Sequence, residues 1–299
     1  MKSWQKWAFA VIPAAGLIEL VAHVAQTRPA ASSADWDAAR DFVTSQSKPE
    51  DLVAFAPKWV DSLGRMHFGP ALATISREGR PDDSRFPRAF EVALHGGHLP
   101  ELGDWRRADV HRFGGVTVTT WENPSPAHVV EDLVSMVDPR RMRVSRGDAE
   151  CVYQHAGAQS GGLGYGEGIP AERFVCPGGA FVGISVVADL DYVPHRCIYA
   201  PPAGTTPTRI RFLDVHFGTT LHGHHALYVE AERNRTGAPV TLTLSAGGNV
   251  LGSVEHRDGD GWKPFELDTA LLAGQVGEVV AEVSSSGDRR MYCFEADAR

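Results

Sequence analysis

The stretch Val240–Ala246 reads VTLTLSA, and it decides the fold class of the larger part of this chain. Its valine and two leucines alternate with two threonines and a serine. Alternation with a period of two places the apolar side chains on one face of an extended strand. A second strand-like run, Asn249–Glu255, follows after two glycines. This pair of runs predicts neighbouring strands with one face buried in a core.

The same pattern of short strand-like runs extends over residues 141–299. Strand-forming runs recur about every ten residues, with glycine, proline or aspartate at the breaks, which is typical of a β-sandwich. The predicted strands are Arg141–Ser145, Ala149–His155, Arg173–Val175, Phe181–Ala188, Arg196–Tyr199, Arg209–Phe217, Ala226–Arg233, Val240–Ala246, Asn249–Glu255, Trp262–Asp268, Val276–Val283 and Arg290–Glu295. We therefore predict an antiparallel β-sandwich domain over residues 141–299.

Residues 34–140 show a different pattern, in which helical and strand-like segments alternate. Asp35 suits a helix N-cap, and apolar residues from Trp36 to Val43 recur at helical spacing. The strands predicted here are Leu52–Ala56, Ala89–Leu94 and Gly115–Trp121, and the helices are Leu63–Arg77, Leu102–His111 and Ala127–Val137. This alternation predicts a small α/β, Rossmann-like module with a largely parallel sheet. The predicted fold class is thus α+β with two domains, divided near residue 140.

The chain opens with a basic segment before an apolar run. Lys2 and Lys6 precede Trp7–Ala25, and Gln26–Ser33 reads as a tether. The layout predicts an uncleaved signal anchor in residues 1–33, crossing the inner membrane once and leaving the remainder in the periplasm or at the cell surface. Because Glu19 interrupts the run, a cleavable secretory signal and a buried helix of a cytosolic domain are the alternatives.

Charge excludes one class of partner. The chain has 29 Lys+Arg against 37 Asp+Glu, which leaves a formal net charge of −8, and it shows no run of cations. Binding to a phosphate backbone needs clustered positive charge. We therefore predict no nucleic-acid partner.

The four cysteines are Cys151, Cys176, Cys197 and Cys293, and none forms a Cys-x-x-Cys pair. The spacing therefore supports neither a zinc ribbon nor a thioredoxin-like site. In an oxidising compartment an even number favours two disulfide bonds. The first and last strands of a sandwich often lie together, which favours Cys197–Cys293 and, by elimination, Cys151–Cys176. Four buried free thiols are the alternative in a reducing compartment.

Three segments of the first domain resemble a known module. Asp35–Ala39 (DWDAA), Glu50–Pro57 (EDLVAFAP) and Arg88–Leu94 (RAFEVAL) resemble the extracytoplasmic α/β module that follows the last membrane helix of some bacterial polyprenyl-phosphate-sugar-dependent glycosyltransferases. The resemblance covers residues 20–122. Those enzymes carry their catalytic carboxylates on loops of a multi-span membrane domain, so the resemblance implies no catalytic residue in this chain.

Residues 197–299 resemble the jelly-roll sandwiches that include many carbohydrate-binding modules. The likeness centres on Gly259–Thr269 (GDGWKPFELDT), an aromatic strand entered through a Gly/Asp turn. Flat aromatic side chains can contact the C–H faces of sugar rings, and neighbouring polar groups bind the hydroxyls. The candidate glycan-contacting residues are Trp262, Tyr228, Tyr199 and Tyr192. Burial in the sandwich core is the alternative for Trp262.

Two clusters are candidates for a metal site. Asp258 and Asp260 lie in a glycine-rich turn that suits Ca²⁺, although Asp-Gly is also a common hairpin turn. His222 and His224 would point to the same side of an extended segment and suit a transition metal, with His216 as a third ligand. The sequence favours a turn with polar side chains there over a metal site. Ca²⁺ is thus a candidate cofactor, and the sequence establishes none.

Signature motifs of several enzyme classes are missing from the sequence. The glycine-rich run Ser160–Gly168 matches neither the dinucleotide fingerprint nor the P-loop, and it indicates a loop over one face of the sandwich. The sequence also has no Gly-x-Ser-x-Gly elbow. Acids lie at the ends of predicted strands, among them Asp189 and Asp191. The sequence therefore does not exclude an acid pair for glycoside hydrolysis.

The sequence therefore predicts a membrane-anchored, extracytoplasmic and non-enzymatic protein that binds or presents a glycan. A carbohydrate-active enzyme, either a hydrolase or related to glycosyltransferases, is one alternative, and a structural or assembly subunit of a cell-surface complex is another. Glycan binding predicts an exposed aromatic platform. A carbohydrate-active enzyme predicts a deep pocket with two carboxylates about 5–10 Å apart. A structural subunit predicts a large apolar patch.

Overall fold

The computed structural model describes residues 4–26, 31–69, 79, 82–159, 168–287 and 290–299. In the first helix it describes the side chains of residues 11–22. Three predicted segments lie wholly or partly outside the described residues. They are the tether after Gln26, the second half of the helix predicted over Leu63–Arg77, and the glycine-rich run Ser160–Gly168.

Helix α1 spans Trp4–Gln26. Its described apolar side chains, such as Ile12 and Ile18, are exposed. No helix within the described ranges has both the length and the apolar character that crossing a bilayer requires. The predicted single-pass anchor is therefore not confirmed.

The first unit is a four-stranded sheet with helices packed on it. Its elements are α2 (Ser33–Gln46), β1 (Leu52–Ala56), a 3-10 helix (Lys58–Val60), α3 (Asp61–Phe68), β2 (Arg88–Leu94), β3 (Arg106–Phe113) and β4 (Val116–Glu122). The strand order is β1-β2-β4-β3, in which the β1/β2 pair is parallel and the other two pairs are antiparallel. The largely parallel, Rossmann-like sheet that the sequence predicted is therefore wrong.

The helix predicted over Leu102–His111 is also wrong, because most of these residues form β3. A tight turn at Gly114 joins β3 to β4, and the φ of this glycine is +55°, a left-handed conformation that glycine adopts without steric cost. β3 is an edge strand whose side chains are mostly exposed. Neither of its faces is buried, so its sequence carries no period-two apolar pattern.

Helix α2 begins with a capping box. The Oγ of Ser32 accepts the N–H of Asp35 at 3.2 Å, and the Asp35 carboxylate accepts the N–H of Ser32 at 3.0 Å. The N-cap is thus Ser32. The sequence had suggested Asp35, and that prediction is wrong. Asp35 also accepts the N–H of Gly115 at 3.2 Å, which ties the helix to the β3–β4 turn. The face from Trp36 to Val43 is buried against the sheet, as predicted.

The segment predicted as a helix over Ala127–Val137 packs with the sandwich instead. Glu131–Asp132 forms β5, which pairs with the last strand of the chain, and Leu133–Met136 forms a 3-10 turn with three buried side chains. Asp132 accepts the N–H of Val134 at 2.9 Å and so caps this turn. The domain boundary near residue 140 stays a prediction, and this packing favours a boundary before residue 131.

Residues 131–299 contain two antiparallel sheets. The strands are β5 (Glu131–Asp132), β6 (Met142–Arg146), β7 (Ala149–Glu150), β8 (Val152–His155), β9 (Glu172–Val175), β10 (Phe181–Ala188), β11 (Pro194–Tyr199), β12 (Thr208–His216), β13 (Thr220–Leu227), β14 (Val240–Ala246), β15 (Asn249–His256), β16 (Lys263–Asp268), β17 (Val276–Ser285) and β18 (Tyr292–Ala298). One sheet has the order β16-β13-β18-β11-β10-β9-β8 with β5 beside β18, and the other β15-β14-β17-β12-β6-β7. The predicted β-rich, antiparallel architecture is confirmed.

The core of this unit lies between the two sheets. The alternation in β14 has the predicted effect, since Val240, Leu242 and Leu244 are buried while the residues between them are half-buried. The same apolar cluster contains Phe212 from β12 and Phe294 from β18, which belong to opposite sheets. The period-two pattern therefore predicted the buried face correctly.

Two predictions around β13 differ from the structure. The strand predicted over Ala226–Arg233 ends at Leu227, and helix α4 (Val229–Asn234) follows it. The histidine-rich segment His222–His225, which the sequence favoured as a turn, lies within β13. There the side chain of His225 is buried in the core, whereas His222 and His224 lie together on the other face.

Both predicted disulfide bonds are confirmed. Cys197 in β11 is bonded to Cys293 in the adjacent β18, with a Cα–Cα distance of 5.8 Å, and both residues are fully buried. Cys151 and Cys176 are bonded across the neighbouring strands β8 and β9, with a Cα–Cα distance of 4.2 Å. Because structural disulfides persist in oxidising compartments, the two bonds indicate an extracytoplasmic location.

Candidate functional site

A cleft with a volume of about 510 Å³ lies between the first unit and the sandwich. Carboxylates dominate its polar lining, and Lys58 is the cationic side chain among the described lining residues. The acids are Asp61, Asp82, Asp83, Glu101, Asp189, Asp191 and Asp260. Its apolar lining comes from both units, and includes Phe55 and Leu99 from the first and Val193 and Pro264 from the sandwich.

Trp262 lines this cleft at the entrance to β16. The turn before it contains Gly259 and Gly261, with φ values of +94° and +68°, so the chain reverses where only glycine fits without strain. The indole of Trp262 stacks on the imidazole of His195, with ring centroids 4.2 Å apart and an interplanar angle of 10°. It also lies parallel to the imidazole of His224, at 5.4 Å and 6°. The indole is thus held in one orientation, half-buried in the wall of the cleft.

A buried carboxylate orients His195. The Nε2 of His195 lies 3.0 Å from Oδ2 of Asp189, and the other carboxylate oxygen accepts the N–H groups of Asp191 and Val193 at 2.9 Å each. Burial alone would raise the pKa of Asp189, but the hydrogen bonds from His195 and the backbone outweigh it, and the pKa lies below its usual value. Asp189 is therefore an anion that fixes the imidazole against Trp262.

His224 has a different kind of partner. Its Nδ1 lies 2.8 Å from Oε1 of Glu295, whose side chain is 1% exposed. Burial, together with the charges of Asp297 and Asp132, raises the pKa of Glu295 well above its usual value. Burial also lowers the pKa of His224. Both shifts favour a neutral pair in which the carboxyl and the imidazole share one hydrogen bond.

Ion pairs connect the two walls of the cleft. The Nζ of Lys58, on the first unit, lies 2.7 Å from Glu101 and 4.0 Å from Asp191 of the sandwich. Arg299 of the sandwich donates to Asp82 at 2.5 Å. Burial would raise the pKa of Asp82, yet the hydrogen bonds from Ser84 and Arg299 lower it to about 2. These pairs span the cleft.

One of the four aromatic residues proposed to contact glycans lines this cleft, and it is Trp262. Tyr228 is fully buried in the core, so the prediction that it contacts a ligand is wrong. Tyr199 is 4% exposed and lines a second cavity of about 800 Å³. The ring of Tyr192 is covered by the guanidinium of Arg233, whose Cζ lies 4.5 Å from the ring centroid. Tyr199 therefore has almost no exposed surface, and one face of the Tyr192 ring is covered.

The candidate metal ligands do not form one site. Asp258 makes a buried ion pair with Arg290, so its oxygens do not face an open turn, and that prediction is wrong. Asp260 lines the cleft and accepts the Nζ of Lys263 at 2.8 Å. His222 and His224 lie on the same side of β13, as predicted, with ring centroids 5.2 Å apart. Within the described residues, no group of three His, Cys, Asp or Glu side chains is arranged to hold a metal ion.

His216, the proposed third ligand, lies elsewhere. Its Nδ1 is 3.0 Å from a carboxylate oxygen of Glu131. The sequence reasoning missed several residues of the cleft, among them Lys58, His195 and Glu101. No local signal marks Lys58 and Glu101, because these two partners lie far apart in the sequence. His195 is paired with the nearby Asp189, but its stacking on Trp262 is long-range.

No protein-family model matches this chain, and no curated protein matches it. Solved structures similar to it include two of the CBM51-2 and INT domains of Clostridium perfringens ZmpB, one of them in complex with GlcNAc, each at 9% identity. They align with 39% and 69% of this chain, with TM-scores of 0.29 and 0.34, and this chain spans 26% and 40% of theirs. The TmCBM61 module in complex with β-1,4-galactotriose is 14% identical over 57% of this chain and 95% of its own, with a TM-score of 0.24.

These neighbours include carbohydrate-binding β-sandwich modules, the class that the last hundred residues resemble. The resemblance of residues 20–122 to a glycosyltransferase module is not supported, and the mixed sheet of the first unit differs from the parallel layer expected for it.

Proposed function

We propose that this protein binds a glycan, without chemical conversion, in the cleft between its two units. One observation carries the proposal: a fixed indole, Trp262, lies in a cavity that is also lined by carboxylates and apolar side chains. A sugar ring has the matching surfaces, because its C–H groups can pack on the part of the indole that the two imidazoles leave exposed and its hydroxyls can donate to carboxylates. The volume also falls within the range of about 300–1,000 Å³ that is common for small-molecule sites.

The rigidity of the cleft supports binding. Asp189 fixes His195, and Lys58 and Arg299 link the two walls through Asp191 and Asp82. A site whose side chains are already ordered loses little conformational entropy when a ligand enters. The arrangement therefore suits recognition of a ligand of defined shape.

We further propose that binding takes place outside the cytoplasm, at the cell surface or in the periplasm, since the protein carries two disulfide bonds. An anchor in the inner membrane stays a prediction from the sequence. Binding of Ca²⁺ also stays a prediction. Of its two proposed ligands, Asp258 and Asp260, the one that lines the cleft is Asp260.

The test is a glycan-array screen of the full chain, purified with its disulfides intact, with and without Ca²⁺. We expect binding to a defined set of glycans, a loss of at least about tenfold in affinity for Trp262→Ala, and no change for Asp148→Asn, an exposed acid outside the cleft. Circular dichroism checks that each variant is folded. Wild-type protein that binds no glycan would contradict the proposal.

A carbohydrate-active enzyme is the second candidate, and one observation favours it. The neutral Glu295–His224 pair has a raised carboxyl pKa at the cleft, a feature of some general acids. Glu295 is 1% exposed, however, so it reaches a ligand only through His224. Incubating the array hits with the protein and measuring new reducing ends separates the two candidates, and we expect none to form.

A further inference from the structure

Trp59 is a large apolar side chain that the packing leaves open. It is 62% exposed, whereas Trp36 is 1% exposed and Trp262 is half-buried in the cleft. Exposed single apolar residues are common, but an indole exposes a large flat apolar surface to water, and such surfaces are frequent at binding sites. The role of Trp59 therefore depends on where its backbone lies.

The backbone of Trp59 lies at the rim of the cleft. Lys58 and Asp61 both line the cleft, and Trp59 lies between them in the sequence. Residues 58–60 form a 3-10 helix, in which residues three apart lie on the same side. Lys58 and Asp61 thus share the side that faces the cleft, Val60 is fully buried in the core, and Trp59 occupies the third, open side.

The position of Trp59 in the chain suits a neighbouring binding subsite. Consecutive Cα atoms are about 3.8 Å apart, so the Trp59 backbone is one residue from Lys58. The Lys58 ammonium is fixed between Glu101 and Asp191 on opposite walls. The short helix is anchored as well, because the side chain of Val60 is fully buried in the core of the first unit. The indole therefore projects from a rigid segment beside the cleft.

We propose that Trp59 forms an outer subsite that stacks on a second sugar ring, so that the ligand is an oligosaccharide and not a monosaccharide. This inference rests on the proposed glycan-binding function of the cleft. A ring held against Trp262 occupies the cleft, and the next ring of the same chain emerges over its rim, where Trp59 offers an apolar face. Trp59 thereby adds selectivity for glycan length.

The experiment measures affinity as a function of chain length. Isothermal titration calorimetry is carried out on the full chain with cello-, chito- and β-1,4-galacto-oligosaccharides of one to five rings. For the series that binds, we expect the wild-type affinity to rise between one ring and two or three. In Trp59→Ala, we expect the affinity for the longer members to fall by about three- to tenfold and that for the single ring to stay unchanged.

Leu271→Ala is the matched control, because Leu271 is 94% exposed in the sandwich and outside the cleft. Both substitutions are at exposed positions, so both variants are expected to fold, which circular dichroism verifies. Equal affinity of wild type and Trp59→Ala for every chain length overturns the outer subsite and leaves the glycan-binding proposal intact. An equal loss for the single ring and the longer chains also overturns it. If the array identifies a ligand of another type, its own series of one to five rings is titrated in the same way. Wild-type protein that binds no glycan of the array and no member of these series overturns both proposals.

Discussion

Removing the Cys197–Cys293 bond should destabilise the protein more than removing the Cys151–Cys176 bond. The first closes a separation of 96 residues and the second one of 25. A disulfide stabilises mainly by restricting the unfolded chain, and the restriction grows with the logarithm of loop length. The entropy relation corresponds to about 4.7 kcal/mol for the longer loop and about 3.5 kcal/mol for the shorter loop at 25 °C. The expected difference is about 1.2 kcal/mol.

The structure adds a second reason for this order. Cys197 and Cys293 are fully buried in adjacent strands of one sheet, whereas Cys151 and Cys176 are slightly exposed near the sheet edge. Replacing the deeper pair therefore leaves the larger packing defect. We expect both contributions to act in the same direction.

The assay compares Cys197→Ala/Cys293→Ala with Cys151→Ala/Cys176→Ala by guanidinium unfolding, followed by tryptophan fluorescence and circular dichroism. Alanine is used because serine would bury a hydroxyl. Equal or greater destabilisation from the loss of the Cys151–Cys176 bond would refute the reasoning. Treating the wild type with reductant under the same conditions provides the control for loss of both bonds.

Three further predictions concern the cleft and its supports. The pKa of Asp82 is lowered from 3.8 to about 2, so its pairing with Arg299 stabilises the fold above pH 4 and is lost as the pH falls from about 4 to about 2. Asp82→Asn should cost about 2 kcal/mol at pH 7 and reduce the pH dependence of unfolding in that range, and an unchanged dependence would contradict this pairing. Ser32→Ala should lower stability by about 1 kcal/mol through loss of the capping box, measured by urea unfolding, and a neutral effect would argue against the cap. Gly223→Ala should destabilise by about 2 kcal/mol, because a methyl group there meets the backbone carbonyl of Glu295 in the next strand. A melting temperature equal to that of the wild type would show that the strands separate there without cost.

Sequence patterns predicted the sandwich well because burial acts on every second residue. In β14 the alternation of Val240–Ala246 matches the buried positions, and the strand has the predicted bounds. β3 was predicted as a helix for the opposite reason. It is an edge strand with mostly exposed side chains, so its sequence does not alternate between apolar and polar residues. The turn at Leu133–Met136 was mistaken for a helix because its closely spaced apolar residues all enter the sandwich core.

The cleft could be predicted only in part. Trp262 directly precedes β16, after a Gly/Asp turn, and that local signal led to a residue that lines the cleft. Its neighbours gave no such signal, because the contacts are long-range: His224 and Glu295 are 71 residues apart in the sequence. Tyr228 illustrates the converse error, since composition alone does not separate a buried ring from an exposed one. The tertiary fold, not the local pattern, decides which aromatic side chain meets a ligand.

A crystal structure of the full chain bound to its best array ligand tests the central claim most directly. We predict density for a sugar ring in the cleft, in contact with the indole of Trp262 and donating hydroxyl hydrogen bonds to carboxylates from both units. A sugar found only in the second cavity beside Tyr199, or on the sandwich surface away from Lys58 and Asp191, would contradict the claim.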